Sequence, residues 1–264
     1  MKKITMISLL VLFIPAGLWS GSTLLNTNMG IPQQAAEVSE VNQVALIETD
    51  DDLLRTYIVC IDPGHQTKGN NDPEPIRPGS GETKVKVTQG TQGVATGKTE
   101  YALNLEAGLM LEEILTNLGM EVHMTRSVND VDISNAERAV MAGEVDADLF
   151  VRLHADGSTD PNTRGAHILV PDRSHPSPFV VENSKKAAGI ILQYLEKDIR
   201  LTANPLSYRG DITGFNWSDV PVVLLEMGYM SNPGEDRLMA DPDYIRGMML
   251  LLAEGIEAYM ATLE

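Results

Sequence analysis

The chain has 264 residues, 43% of them hydrophobic, with 20 basic and 37 acidic side chains and a formal net charge of −17. That length and content suit one globular domain with a full core and surplus chain outside it. The acidic balance and the lack of basic clusters exclude nucleic acid as an expected partner, and a single cysteine, Cys60, excludes an internal disulfide.

The surplus lies at the front. Lys2 and Lys3 precede ITMISLLVLFIPAGLW, the basic and apolar parts of an export signal. Residues 1–25 therefore read as a signal peptide or, because Ile4 to Leu25 is uncharged over about the length a bilayer requires, as an N-terminal membrane anchor. Residues 26–55 are rich in Gln, Asn, Glu and Asp with no sustained apolar period, and read as a flexible tether. The protein is expected outside the cytoplasm, in the wall or on the outer face of the membrane. The folded unit is expected over 56–264.

From Thr56 the signals alternate between strand and helix. TYIVCI is a β-branched run that places Cys60 in the core. Gln66 to Thr99 is long and rich in Pro, Gly and Thr, a loop expected to be functional or disordered. Glu100 to Leu118 carries leucines at helical spacing and stops at Gly119, and EVHMTR follows as a strand. Ser134 to Val145 opens with Ser134 and Glu137 in the capping-box pattern. DLFVRLHA and AHILVP are strands too close in sequence for a crossover helix between them, so one of the two should break a parallel pattern. Phe179 to Ile199 is the longest amphipathic helix, VPVVLLEMG is a strand buried on both faces, and Asp243 to Thr262 closes the chain as a helix. The order predicts an α/β fold, an open, mostly parallel twisted sheet flanked by helices in a single domain.

In such a sheet the binding crevice lies beyond the carboxyl ends of the strands. His65 follows the first strand, Glu100 opens the helix after it, His154 ends DLFVRLH, and Glu226 ends VPVVLLE. Each has an ordinary reading. His65 can be a surface turn residue, Glu100 an acid favoured by the helix dipole, His154 a residue satisfied by a carbonyl, and Glu226 half of an ion pair. Their convergence on one edge favours another. Two imidazoles and a carboxylate suit a catalytic zinc with a position left for water, and a second carboxylate nearby can take that water's proton. Among the other histidines, His123 is expected to be structural, His175 to lie at the surface, and His167 is a weaker candidate for the cleft.

IVCIDPGH, TEYALNLEAG, GMEVHMTR, ERAVMAGEVDADLFVRLHADG and GFNWSDVPVVLLEMGYMSNPGED together resemble the zinc-dependent N-acetylmuramoyl-L-alanine amidases (amidase_3 type), bacterial cell-wall hydrolases, over about four fifths of the chain. The resemblance implies a phosphorylase/hydrolase-like sheet and one zinc per chain on His65, Glu100 and His154. It also implies Glu226 as the catalytic carboxylate and cleavage of the amide between N-acetylmuramic acid and L-alanine in peptidoglycan. Separately, the chain is expected to be a monomer. Arg126 and Arg138 match family positions where ion pairs are expected to fix loops. Two departures stand out: Arg152, Leu153, His154, Ala155 and Asp156 replace the common Ser-Ile-His-Ala-Asn, and the loop after His65 is longer than usual. The rival readings are a zinc carboxypeptidase-like peptidase, which lacks its usual His-x-x-Glu pair here, and a non-catalytic wall-binding domain, which would have no need of Glu226.

Overall fold

In the first strand, β1 (Ile58–Pro63), Val59 and Ile61 enter one apolar cluster and Cys60 enters a second on the opposite face. Alternation of this kind between two cores requires layers on both sides of the sheet. The computed structural model describes residues 55–263, so the expected export or anchor segment at 1–25 and the tether up to its last residue lie outside the described residues. Among the described residues no helix is long and apolar enough to cross a membrane.

After β1 come a hairpin of β2 (Asn70–Pro75) and β3 (Thr83–Val87), helix α1 (Glu100–Asn117), β4 (Glu121–Met124), α2 (Asn135–Glu144), β5 (Leu149–Asp156) and β6 (Ala166–Pro171). Then follow α3 (Pro178–Leu195), β7 (Leu201–Arg209), the single turn α4 (Thr213–Asn216), β8 (Val222–Tyr229), α5 (Pro233–Met239) and α6 (Pro242–Met260). The main sheet has the order β4-β1-β5-β8-β6-β7. Strands β4, β1, β5 and β8 are parallel, β6 runs antiparallel to β8, and β7 is parallel to β6. The short connection between β5 and β6 thus breaks the parallel pattern as its length required, although β8 lies between the two strands. Helices α1, α3 and α6 supply the first cluster, while α2 and α4 cover the second.

Local signals account for most helix starts. Ser134 accepts the amide of Glu137 while the Glu137 carboxylate accepts the amide of Ser134, the capping box in full. Ser177, Asn232 and Asp241 each cap a helix whose next residue is proline. Helix α1 and the single turn α4 are the exceptions, because Thr99 and Ile212 make no side-chain cap bond.

The loop expected at 66–99 is instead partly a two-stranded antiparallel sheet with a register shift, and β7 and α5 were also absent from the sequence reading. Cys60 is buried, and desolvation together with the Asp62 charge pushes its thiol up to about 12, leaving it unreactive.

Candidate metal centre

His65 sits where β1 has ended, with φ at 63°, in the left-handed region that few non-glycine residues occupy. The following segment fixes its ring. Thr88 O lies 2.9 Å from Nδ1 and accepts its proton, so Nε2 is left with a lone pair facing inward. The same segment fixes Glu100, whose Oε2 accepts the amide of Thr91 at 2.8 Å and leaves Oε1 inward. At Gly90 between them, φ is +84°, and a Cβ would stand 2.6 Å from Glu100 Oε2 and 2.9 Å from the His65 ring, so only glycine fits.

His154 comes from β5, one strand over. Its ring lies against Gly64, where a Cβ would be 2.2 Å from Nε2. That nitrogen is buried without a partner, so Nδ1 is the atom presented to the centre. The three inward atoms form a nearly equilateral triangle: His65 Nε2 to Glu100 Oε1 is 3.0 Å, His154 Nδ1 to Glu100 Oε1 is 3.2 Å, and His154 Nδ1 to His65 Nε2 is 3.2 Å. Ligands on a tetrahedral zinc with bonds of about 2.0–2.1 Å stand roughly 3.3 Å apart. The cluster thus has the donors and nearly the spacing of one face of such a site, and it can hold a metal.

The electrostatics fit that use. Burial works against the Glu100 charge, yet its interactions with the His154 and His65 rings outweigh it and hold the carboxyl well below its usual range. Burial pushes His154 down to about 4, so its ring is neutral and has a lone pair to give.

Glu226 lies on β8, in register with His154 on one side and His167 on the other. Its Oε2 is buried without a partner, and it forms no ion pair among the described residues. Desolvation first, then the charges of Glu100 and Asp156, raise its pKa well above the ordinary value, only partly offset by Arg152 and Arg209.

Behind the centre, Asp62 is fully buried between Arg138 Nη1 and Arg152 Nε, each at 2.8 Å, with Thr125 Oγ1 donating at 2.6 Å. Complete burial opposes the Asp62 charge, but the two guanidiniums prevail and hold its carboxyl well below the carboxylate range. Arg138 therefore forms the expected ion pair. Arg126 does not: it donates to the carbonyls of Pro63, Gly64, Tyr101 and Val128 and to Asn129 Oδ1, and burial pushes it down to about 10. His123 pairs with Glu121 on the surface. His175, expected at the surface, is buried, accepting from Ser177 N at Nδ1 and donating to Ser218 O from Nε2.

The sequence reading missed Asp236. Buried at the start of α5, it accepts Ala95 N at 2.6 Å, Thr96 N at 2.8 Å and Thr96 Oγ1 at 2.6 Å. It thereby ties the segment that orients His65 and Glu100 to the chain just after β8. Seen in sequence, an acid in the first turn of a helix has a sufficient explanation in the helix dipole.

The fold is an α/β sheet of this topology with an imidazole and carboxylate cluster at its strand ends that can hold a metal. The profile of the N-acetylmuramoyl-L-alanine amidases (Amidase_3) matches residues 59–258. An amidase of Mycobacterium tuberculosis is 30% identical over 220 residues, 78% of this chain and 87% of that one. AmiA of Escherichia coli is 24% identical over 253 residues, 79% of this chain and 83% of AmiA, whereas the match to the amidase AmiC of Neisseria meningitidis spans only 54% of that longer protein. The crystal structure of the amidase Ami1 from Mycobacterium smegmatis superposes with a TM-score of 0.72 at 28% identity, covering 78% of this chain and 97% of that one. The chain belongs to the N-acetylmuramoyl-L-alanine amidase family, hydrolases of the amide between N-acetylmuramic acid and L-alanine in peptidoglycan. That membership removes the carboxypeptidase-like alternative.

Proposed function

We propose that His65, Glu100 and His154 hold one zinc ion per chain, through Nε2, Oε1 and Nδ1 respectively, and that Glu226 is the catalytic carboxylate. Two imidazoles with one carboxylate favour zinc over harder cations. When bound, zinc supplies Lewis acidity at the scissile carbonyl and at the attacking water.

The protein's own groups do the rest. Glu226 takes a proton from the attacking water and delivers it to the departing amine of L-alanine, for which a carboxyl with a raised pKa is suited. The observation that carries this reading is its Oε2, buried beside His154 with nothing in the fold to satisfy it. A buried acceptor without a structural partner costs stability, and such a cost is expected at a functional site. Thr88 O and Thr91 N keep the ligand atoms of His65 and Glu100 turned inward before substrate arrives.

All four residues come from one chain, which supports a monomer as the working unit. Residues 1–25 are assigned to export or anchoring, which would bring the enzyme to its peptidoglycan substrate outside the cytoplasm. The deciding experiment combines metal analysis with product identification. Digested peptidoglycan should show new L-alanine amino termini and no new reducing sugars, at about one zinc per chain. Reducing ends without free amines would overturn the assignment.

A further inference from the structure

Arg152 and the long segment after His65, the two departures from the common family pattern, meet behind the metal centre. Arg152 is buried on β5, two residues before His154 and on the same side of the strand. Its Nε donates to Asp62 Oδ2 and its Nη2 to Asn135 Oδ1, each at 2.8 Å. The guanidinium has room because α4 passes it at Gly214, where a Cβ would stand 2.1 Å from Nη1.

Asn135 opens α2, and its side chain works in two directions. Its oxygen accepts from Arg152, and its nitrogen donates at 2.8 Å to the carbonyl of Lys86 on β3. A guanidinium has only donors and a carbonyl only lone pairs, so the two partners fix which way the amide faces. Two residues past Lys86, Thr88 O takes the proton on His65 Nδ1 and turns Nε2 toward the metal position. A continuous path therefore runs from the buried charges through Asn135 and the end of β3 to the His65 ring.

The path bears on the weak point of the hairpin. Two strands alone are marginally stable, and this pair shifts register between Asn70↔Val87 and Pro73↔Val85, which leaves Lys86 within the shift. Asn135 holds the strand at that place. The far end of the hairpin is held separately, where Trp217 Nε1 donates to Pro75 O and Arg77 Nη2 to Gly210 O. We infer that Arg152 and Asn135 are positioning residues for His65, acting through Lys86 O and Thr88 O, so that the buried charges behind the centre aim one of its imidazoles. The inference rests on the reading of His65 as a ligand and adds to it the element that directs the ring.

The test cuts the path at Asn135, because Arg152 also balances Asp62 and its loss would weaken the core. Asn135→Asp keeps an acceptor for Arg152 and suits the start of a helix, but has no donor for Lys86 O. Zinc affinity measured by chelator competition should fall roughly 10-fold, the low end for losing an outer partner. The melting temperature of the metal-free protein should hold, and with cobalt in place of zinc the visible bands should shift. Asn135→Ala loses both bonds and should combine the same loss of affinity with earlier melting. Trp217→Phe loosens only the far end and should bind zinc like the unaltered protein. Unchanged affinity and cobalt bands in Asn135→Asp would overturn the proposal. An equal loss in Trp217→Phe would also overturn it, since the whole hairpin and not this path would then be the support. Nitrogen NMR of the His65 ring in metal-free protein reads the path apart from the ligand assignment. Protonation held at Nδ1 in the unaltered protein and lost to a mixture in Asn135→Asp supports the path even if His65→Ala retains its zinc, and identical spectra refute it even if His65 proves to be a ligand.

Discussion

Asp236 and Thr96, 140 residues apart in sequence, are joined twice, with the amide of Thr96 at 2.8 Å from one carboxylate oxygen and its hydroxyl at 2.6 Å from the other. The segment held this way carries the amide that orients Glu100 and the carbonyl that orients His65. Asp236 is thus a positioning residue for a centre it does not touch. In Asp236→Ala, zinc affinity measured by chelator competition should fall roughly 10- to 100-fold, the usual effect of losing an outer partner. Unchanged affinity with a lowered melting temperature would reduce Asp236 to a structural anchor.

Removal of the metal by a chelator should abolish hydrolysis and leave the fold intact, because the core lies between the sheet and its helices and not around the centre. Added zinc should restore activity. His65→Ala and His154→Ala should each lose metal and activity together, since two ligands do not make a stable site. Metal content is the direct measurement, and either variant retaining a full equivalent would remove that residue from the ligand set.

Glu226→Gln separates chemistry from structure. The amide keeps size and hydrogen bonding but cannot accept a proton, so zinc should stay bound while turnover falls roughly 10²- to 10⁴-fold. No ion pair is broken, so the melting temperature should hold or rise. A variant that melts early yet turns over normally would exclude Glu226 from catalysis.

Asp62 is where charge supports the fold. Asp62→Asn leaves Arg138 and Arg152 buried against a neutral partner and should destabilise by about 3–5 kcal/mol. The folded carboxyl titrates below the unfolded one, so its contribution is complete above an unfolded value of about 3.9 and declines as pH falls below it. Melting temperatures from pH 7 to 3 should show a steeper acid loss in the unaltered protein than in Asp62→Asn. Parallel curves would contradict the linkage.

The candidate site was legible in sequence because chain order and strand ends bring its residues to one edge. An apolar run that ends at, or just before, a histidine or glutamate marks a crevice candidate, and β1, β5 and β8 all carry that mark. Strands β2 and β7 were hidden for a common reason. NNDPEP and LTANPLSYR contain prolines and exposed polar residues, which read as loop, and such residues are tolerated only in hairpins and at sheet edges. Arg126 and His175 were misjudged because their partners are, apart from Asn129 Oδ1, backbone carbonyls and amides, which leave no trace in side-chain spacing. Asp236 was missed because its three partners lie 140 or 141 positions away.

His65 holds a left-handed backbone conformation that costs an ordinary residue on the order of 1 kcal/mol or more and costs glycine little. The position therefore sets two selections against each other. A library screened only for heat resistance should enrich glycine or asparagine at 65 and return sturdier proteins that are inert toward the wall. Screened for lysis, the same library should keep histidine and tolerate the strain.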